Sequence, residues 1–210
     1  MENRIIHTAA QGLAGRLNRC IGKEGLELQK MVMGMEILLI NVSKLIAVYL
    51  LAFVMGIVVQ AVILHVAYLV IKRYSFGLHS LSSTLCTVVS CCMFAVMPWL
   101  LRGAEIGNIV VFAVFALVIP CLYRYAPADT KARPLIGLKL RARLKRRAVA
   151  CGVILMAVAL IVPSYEVKFL LTLGAAYQCV SILPLTYKIL KRSEKNYEKY
   201  EHAGRQPNGN

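Results

Sequence analysis

The chain has 210 residues, 59% of them hydrophobic, with a mean hydropathy of +0.64 and a formal net charge of +15. That much apolar surface excludes an ordinary water-soluble domain of this length and points to a polytopic membrane protein. The 25 lysines and arginines do not read as a nucleic-acid footprint, because they cluster between apolar segments, as basic residues do on the cytoplasmic side of a membrane.

Residues 1–33 are polar to amphipathic, and no cleavable signal peptide is expected there. In "RIIHTAAQGLAGRLNRCIG", Ile6, Ala10, Leu13, Leu17 and Ile21 recur at helical spacing, with Arg4, Arg16 and Arg19 left for a polar side. This predicts an amphipathic helix, either lying on an anionic leaflet or exposed to the cytoplasm. A membrane domain follows over 34–190. Its first apolar block, 37–71, is broken in charge only by Lys44. A spanning helix needs about 20 apolar residues, so this block is too long for one helix and tight for two. A turn near Gly56 divides it into spans near 37–54 and 57–71. Further spans are expected near 84–101, 106–123, 148–163 and 169–187, the fifth of them short enough to borrow residues from its flanks. The tail, 191–210, is polar and of mixed charge.

Six spans give a consistent charge parity. With the hairpin at Gly56, 22 of the 25 basic residues fall on one side, only Arg102 and Lys168 on the other, and Lys44 within a span. The expectation is an all-α, six-span bundle with both termini in the cytoplasm. Seven cysteines, an odd number without framework spacing, sit mostly in apolar runs and read as buried thiols. No histidine–cysteine cluster suits a metal, and neither metal nor cofactor is expected.

One cysteine differs in its setting. In "KRYSFGLHSLSSTLC" (72–86), His79 and Cys86 lie between spans two and three, after Lys72 and Arg73. On one continuous helix the pair would stand about 10 Å apart along the axis, too far for direct proton transfer. Gly77 and the serines at 80, 82 and 83 offer a break. A helix capped at Ser82 or Ser83 puts Cys86 in or near a first turn, where free amides favour a thiolate, with His79 as base. The bland alternative is a packing histidine and a packing cysteine. His65 lies within a span and has no obvious partner.

Three stretches carry a resemblance: "GMEILLINVSKLIAVYLLA" at 34–52, "KRYSFGLH" followed by Cys86, and "YAPADTKARPL" at 125–135, with a weaker echo in "LGAAYQCVSILPL" at 173–185. Through them the chain resembles the accessory gene regulator B (AgrB) family, membrane cysteine peptidases of bacterial quorum sensing. The resemblance implies a multi-pass protein of the bacterial cell membrane that cuts a short AgrD-like precursor at the cytoplasmic surface. Cys86 would form a thioester with the peptide and His79 would serve as base, with Lys72, Arg73 and Gly77 at matching positions. An internal peptide thiol would then displace the enzyme and close a ring. Lys72 stands where relatives often have arginine, and Phe76 where some have a second glycine. Glu36 and Lys44 match the first-span pattern, as structural or substrate-contacting residues, and Gln178 is equally open. Asp129 either orients His79 or is a turn residue. The stretch 130–147, Lys131 included, carries eight basic residues and no acidic one, for anionic lipid and for an acidic precursor tail. A homodimer fits the resemblance. A transporter remains the competing class, on the strength of Pro98, Pro120 and Pro184 in apolar runs. A peptidase that only hydrolyses, or a noncatalytic scaffold, is the third.

Overall fold

The computed structural model describes residues 2–77, 83–129, 135 and 137–190, and among them the chain is helical without a β-strand. His79, Lys131 and the tail 191–210 lie outside the described residues. Helix α1 (Glu2–Ile21) packs on α2 (Gly25–Val54), with Ala10 and Ala14, one turn apart, fully buried. An ion pair between His7 and Glu36, with Gln11 Nε2 2.9 Å from His7 Nε2, fastens α1 to α2.

At 30 residues, α2 is about 45 Å long, against a hydrocarbon core of about 30 Å. Its first turns therefore belong to the segment read as an amphipathic leader. The boundary at residue 33 does not mark an end of structure: the break falls at 22–24, between two helices. The expected hairpin is present, because Gly56 turns the chain at φ +67 and α3 (Val58–Ser75) runs back.

Helix α4 (Ser83–Cys91) continues through a π-helical turn (Cys92–Val96) into α5 (Met97–Leu100). The cause lies in Pro98, which has no N–H to offer and whose ring crowds the carbonyl four residues back. The preceding turn widens, and Met97 N–H reaches Cys92 O instead. Phe94, on that widened turn, is buried with its ring 4.4 Å from His65 and 5.2 Å from Tyr68. The Tyr49 hydroxyl sits 3.2 Å from His65 Nδ1. The histidine that lacked a partner in sequence thus joins an aromatic cluster.

Helix α6 spans Asn108–Tyr125 and α7 spans Leu138–Ile161. The α7 bounds correct the expectation of a span at 148–163 preceded by a basic loop: Lys139 to Arg147 are already helical, so the short apolar run borrows its length from a charged N-terminal half. Helix α8 (Tyr165–Ile182) is capped by Ser164 Oγ, which accepts from Val167 N–H, and ends before Pro184, which opens the short α9 (Pro184–Ile189). Residues 169–187 are therefore two helices.

The core forms around α3, which packs most extensively on α8 and also on α7, while α6 packs on α7 and α8. Gly174 sets the α3–α8 distance: a Cβ there would lie 2.7 Å from Ala67 Cβ and 2.8 Å from Leu64 O. Small residues that let backbones approach are the ordinary means of helix association in lipid. Outward faces carry large apolar side chains, among them Phe53, Ile109, Leu117 and Ile161. Among the described residues, α2, α3 and α6 are long and apolar enough to cross a membrane, and Thr84–Leu100 is a shorter apolar segment. The fold is an all-helical membrane bundle.

Candidate active site

Polar contacts between elements mark two ends of the bundle. At one end Arg102 Nη2 donates to Gly56 O (3.2 Å), Gln60 Nε2 to Glu166 Oε1 (3.2 Å) and the buried Lys168 Nζ to Asn108 Oδ1 (2.5 Å). The other end holds the C-terminus of α3 with Phe76 and Gly77, the loop after α6 and Gln178 of α8.

The C-terminus of α3 is built with unusual care. Phe76 N–H still donates a helical bond to Lys72 O (2.9 Å), and the backbone then leaves the helix at φ +56, ψ −126. Side-chain-bearing residues rarely take that conformation. Gly77 follows at φ +111, where a Cβ would meet Ser181 Oγ at 2.8 Å, so glycine is required for both shape and space. The loop after α6 folds back to pair with this segment: Ala128 N–H donates to Ser75 O (2.9 Å) and Gly77 N–H to Ala128 O (3.1 Å). Gln178, wholly buried on α8, donates from Nε2 to Ser75 Oγ (2.6 Å) and to Phe76 O (2.7 Å).

The sequence-predicted residues are not all brought together. Gly77 and Asp129 are brought together, in the sense that Asp129 adjoins the Ala128 that pairs with Gly77; Asp129 is buried, and its carbonyl accepts the Tyr187 hydroxyl (3.1 Å). Lys72 turns back along α3, its Nζ 2.5 Å from Tyr68 Oη and 4.7 Å from that ring's centre, while Arg73 flanks Tyr74 together with Arg147. Glu36 pairs with His7 on α1, and Lys44 is half-buried on α2. Cys86 is half-buried on α4, three residues after Ser83, the first described residue of that helix. His79 and Lys131 lie outside the described residues. Ser75, Ser181 and Tyr187 were not singled out in the sequence; the one available signal was Gln178 and Ser181 at i, i+3 within an apolar run, which puts two polar groups on one helix face.

All seven cysteines are free thiols, and Cys20 and Cys92 are exposed, against the expectation of buried thiols. Among the described residues, no three histidine, cysteine or acidic side chains gather as metal ligands would.

A helical membrane bundle that carries a half-buried thiol on the helix following a tightly held turn defines a class: an integral membrane protein with a candidate nucleophile. Comparison with known proteins narrows it. The chain matches the family described as Accessory gene regulator B over residues 10–182. It is 38% identical over 205 residues to an AgrB-like protein of Clostridium acetobutylicum, covering 98% of each chain. To an AgrB-like protein of Listeria innocua it is 44% identical over 172 residues, 82% of this chain and 84% of the other. To accessory gene regulator protein B of Staphylococcus intermedius it is 30% identical over 181 residues, 86% and 95% of the two chains. No solved structure matches. The chain belongs to the AgrB family, which gives it a role in accessory gene regulator quorum sensing.

Proposed function

We propose that this chain is a membrane cysteine endopeptidase that cleaves an AgrD-like precursor and promotes its cyclisation. Cys86 Sγ attacks the scissile carbonyl as His79 takes the thiol proton. The C–N bond breaks, His79 returns the proton to the leaving amine, and a thioester remains on Cys86. A thiol within the bound peptide then displaces Cys86, and because one thioester replaces another, ring closure needs no ATP provided water is kept out. The observation that carries this reading is the tightly held turn at Ser75–Gly77, which lies two residues before His79 in sequence and is followed by α4 with its half-buried Cys86. Asp129, buried on the loop that pairs with that backbone, is the candidate to orient His79.

On this reading the chain makes six membrane passes, with the Cys86 end and both termini in the cytoplasm; the turn at Gly56 and the basic residues at the end of α3 and in α7 support it. The charged N-terminal half of α7, with Lys131 before it, holds anionic lipid headgroups and the acidic part of the precursor. Lys72, Arg73, Glu36 and Lys44 support peptide binding, and a homodimer is the working unit.

The test is mass spectrometry of a cognate precursor incubated with membranes that carry this protein or its Cys86→Ala variant. A tail-free product one water lighter than the linear fragment, made only with Cys86 present, is expected. A linear fragment would leave a peptidase without cyclisation, and unchanged precursor would overturn the catalytic reading.

A further inference from the structure

On the reading above, which gives the basic end of the bundle to anionic lipid headgroups, we infer that Arg73 of α3 and Arg147 of α7 form a seat for the phosphate of one phospholipid, with Tyr74 as its base. Both guanidinium groups come to the same ring: Arg73 Cζ lies 5.9 Å and Arg147 Cζ 5.7 Å from the centre of Tyr74. The ring is half-buried and packs on the main core, so it is fixed, while the two arginines are exposed. An aromatic face attracts a cation, which offsets part of the repulsion between two like charges drawn to one place. Neither arginine has an acidic partner among the described residues. None is close in the fold, because α3, α6 and α7 carry no acidic residue and Asp129, on the loop after α6, is buried. Two guanidinium forks gathered by one ring suit an oxyanion with several free oxygens, which a phosphate supplies.

The surface on the membrane side of the pair favours a lipid as the source of that phosphate. Helix α3 ends at the seat, so its earlier turns run into the apolar layer, and on the face of Arg73 they present the exposed Val70 and Val66. Helix α7 packs on α3 and carries its basic residues in its first half, so its later turns run into the same layer. On the face of Arg147 those turns present the half-buried Cys151 and the exposed Ile154. Spacings of three, four and seven residues keep side chains on one helix face. The surface is thus cationic where headgroups lie and apolar toward the hydrocarbon, which matches a phosphate that carries acyl chains rather than a free phosphate or a wholly polar peptide segment. Lys145 over Tyr123 (5.5 Å) repeats the device between α7 and α6. The inference narrows the part given to Arg73 above: it supports the peptide through a lipid held beside the site, not by direct contact.

The test is native mass spectrometry of the full chain, purified in mild detergent and titrated with palmitoyl-oleoyl phosphatidylglycerol. Wild type is compared with Arg73→Gln, Arg147→Gln, the double variant, Tyr74→Leu and Tyr74→Phe. Each arginine substitution is expected to weaken lipid retention by about tenfold, the scale of one lost charge-assisted contact. The double variant should be weaker than either single one by no more than about twofold, since both arginines hold one phosphate and their effects do not add. Tyr74→Leu keeps both charges but not the ring, and should weaken retention by about fivefold, whereas Tyr74→Phe should keep it. If Tyr74→Leu does not accumulate, the two arginines and their double variant decide. Losses that multiply in the double variant, or full retention by Tyr74→Leu, would show a diffuse basic surface and overturn the inference. Displacement of the lipid by glycerol phosphate, which has no acyl chains, would assign the site to a free phosphate. Displacement by cognate precursor would assign it to the peptide, and either result overturns the lipid seat. The inference rests only on the part of the reading above that sets this end against an anionic leaflet. Cleavage by Cys86→Ala, which would sink the peptidase reading, is measured separately and leaves the lipid result standing.

Discussion

Replacing Gly77 by alanine adds one methyl where the backbone enters the site, and the structure gives the cost in two parts. Holding an alanine at φ +111 rather than a glycine costs about 1–2 kcal/mol, since Cβ crowds the neighbouring carbonyl. The second part is contact. The new Cβ would lie 2.8 Å from Ser181 Oγ and 3.2 Å from both Ser181 O and Ile182 Cγ2, whereas unstrained contacts begin at about 3.5 Å. Ser181 cannot simply rotate away, because its hydroxyl is bonded to Gln178, so the overpacking costs about 1–3 kcal/mol more. Gly103→Ala is the matched control: Gly103 has φ +82 but nothing within 4 Å of its Cβ position, so it carries only the first part. Purified protein in mild detergent, unfolded thermally and by denaturant, should show Gly77→Ala destabilised by about 2–5 kcal/mol and Gly103→Ala by about 1–2 kcal/mol. Only the former should also lose precursor cleavage. Equal effects of the two substitutions on stability, or full cleavage by Gly77→Ala, would refute the claim that close packing against Ser181 shapes this turn.

Three further outcomes are expected. Gly174→Ala should force α3 and α8 apart, since its Cβ would stand 2.8 Å from Leu64 O, a backbone atom; thermal unfolding should register a loss of about 1–3 kcal/mol, and cleavage should fall with it. At the opposite end, Asn108→Leu should destabilise more than Lys168→Met, because the first leaves a buried ammonium without its oxygen partner while the second removes the charge; denaturant midpoints for the two variants settle the order. His7→Ala should change stability by less than about 1 kcal/mol, because the His7–Glu36 pair is partly exposed, and a larger shift in thermal midpoint would show that the pair contributes more than an exposed ion pair does.

Much of this arrangement was legible in the sequence because hydropathy and helix breakers are local. The 37–71 block had to turn, Gly56 was the residue able to do it, and α2 and α3 meet there. What hydropathy misses is a helix whose first half is charged. Lys139 to Arg147 and the turns from Gly25 are helical yet polar, so an apolar window began α7 and α2 too late. Long-range hydrogen bonds were equally hidden. Nothing local to Gln178 names Ser75 as its partner, nothing local to Glu36 names His7, and His65 gains Tyr49 and Phe94 only once three helices are packed. Asp129 was read as a turn residue or an orienter, and the fold adds that its loop pairs with the backbone ahead of His79.

The central claim is a covalent one, that Cys86 carries the peptide as a thioester. It is tested most directly by intact mass of the protein after brief incubation with cognate precursor and an acid quench. The account predicts an adduct equal in mass to the retained part of the precursor less one water, removed by hydroxylamine, mapped to Cys86 and absent from Cys86→Ala. An adduct on another cysteine, or efficient cleavage by Cys86→Ala, would contradict it.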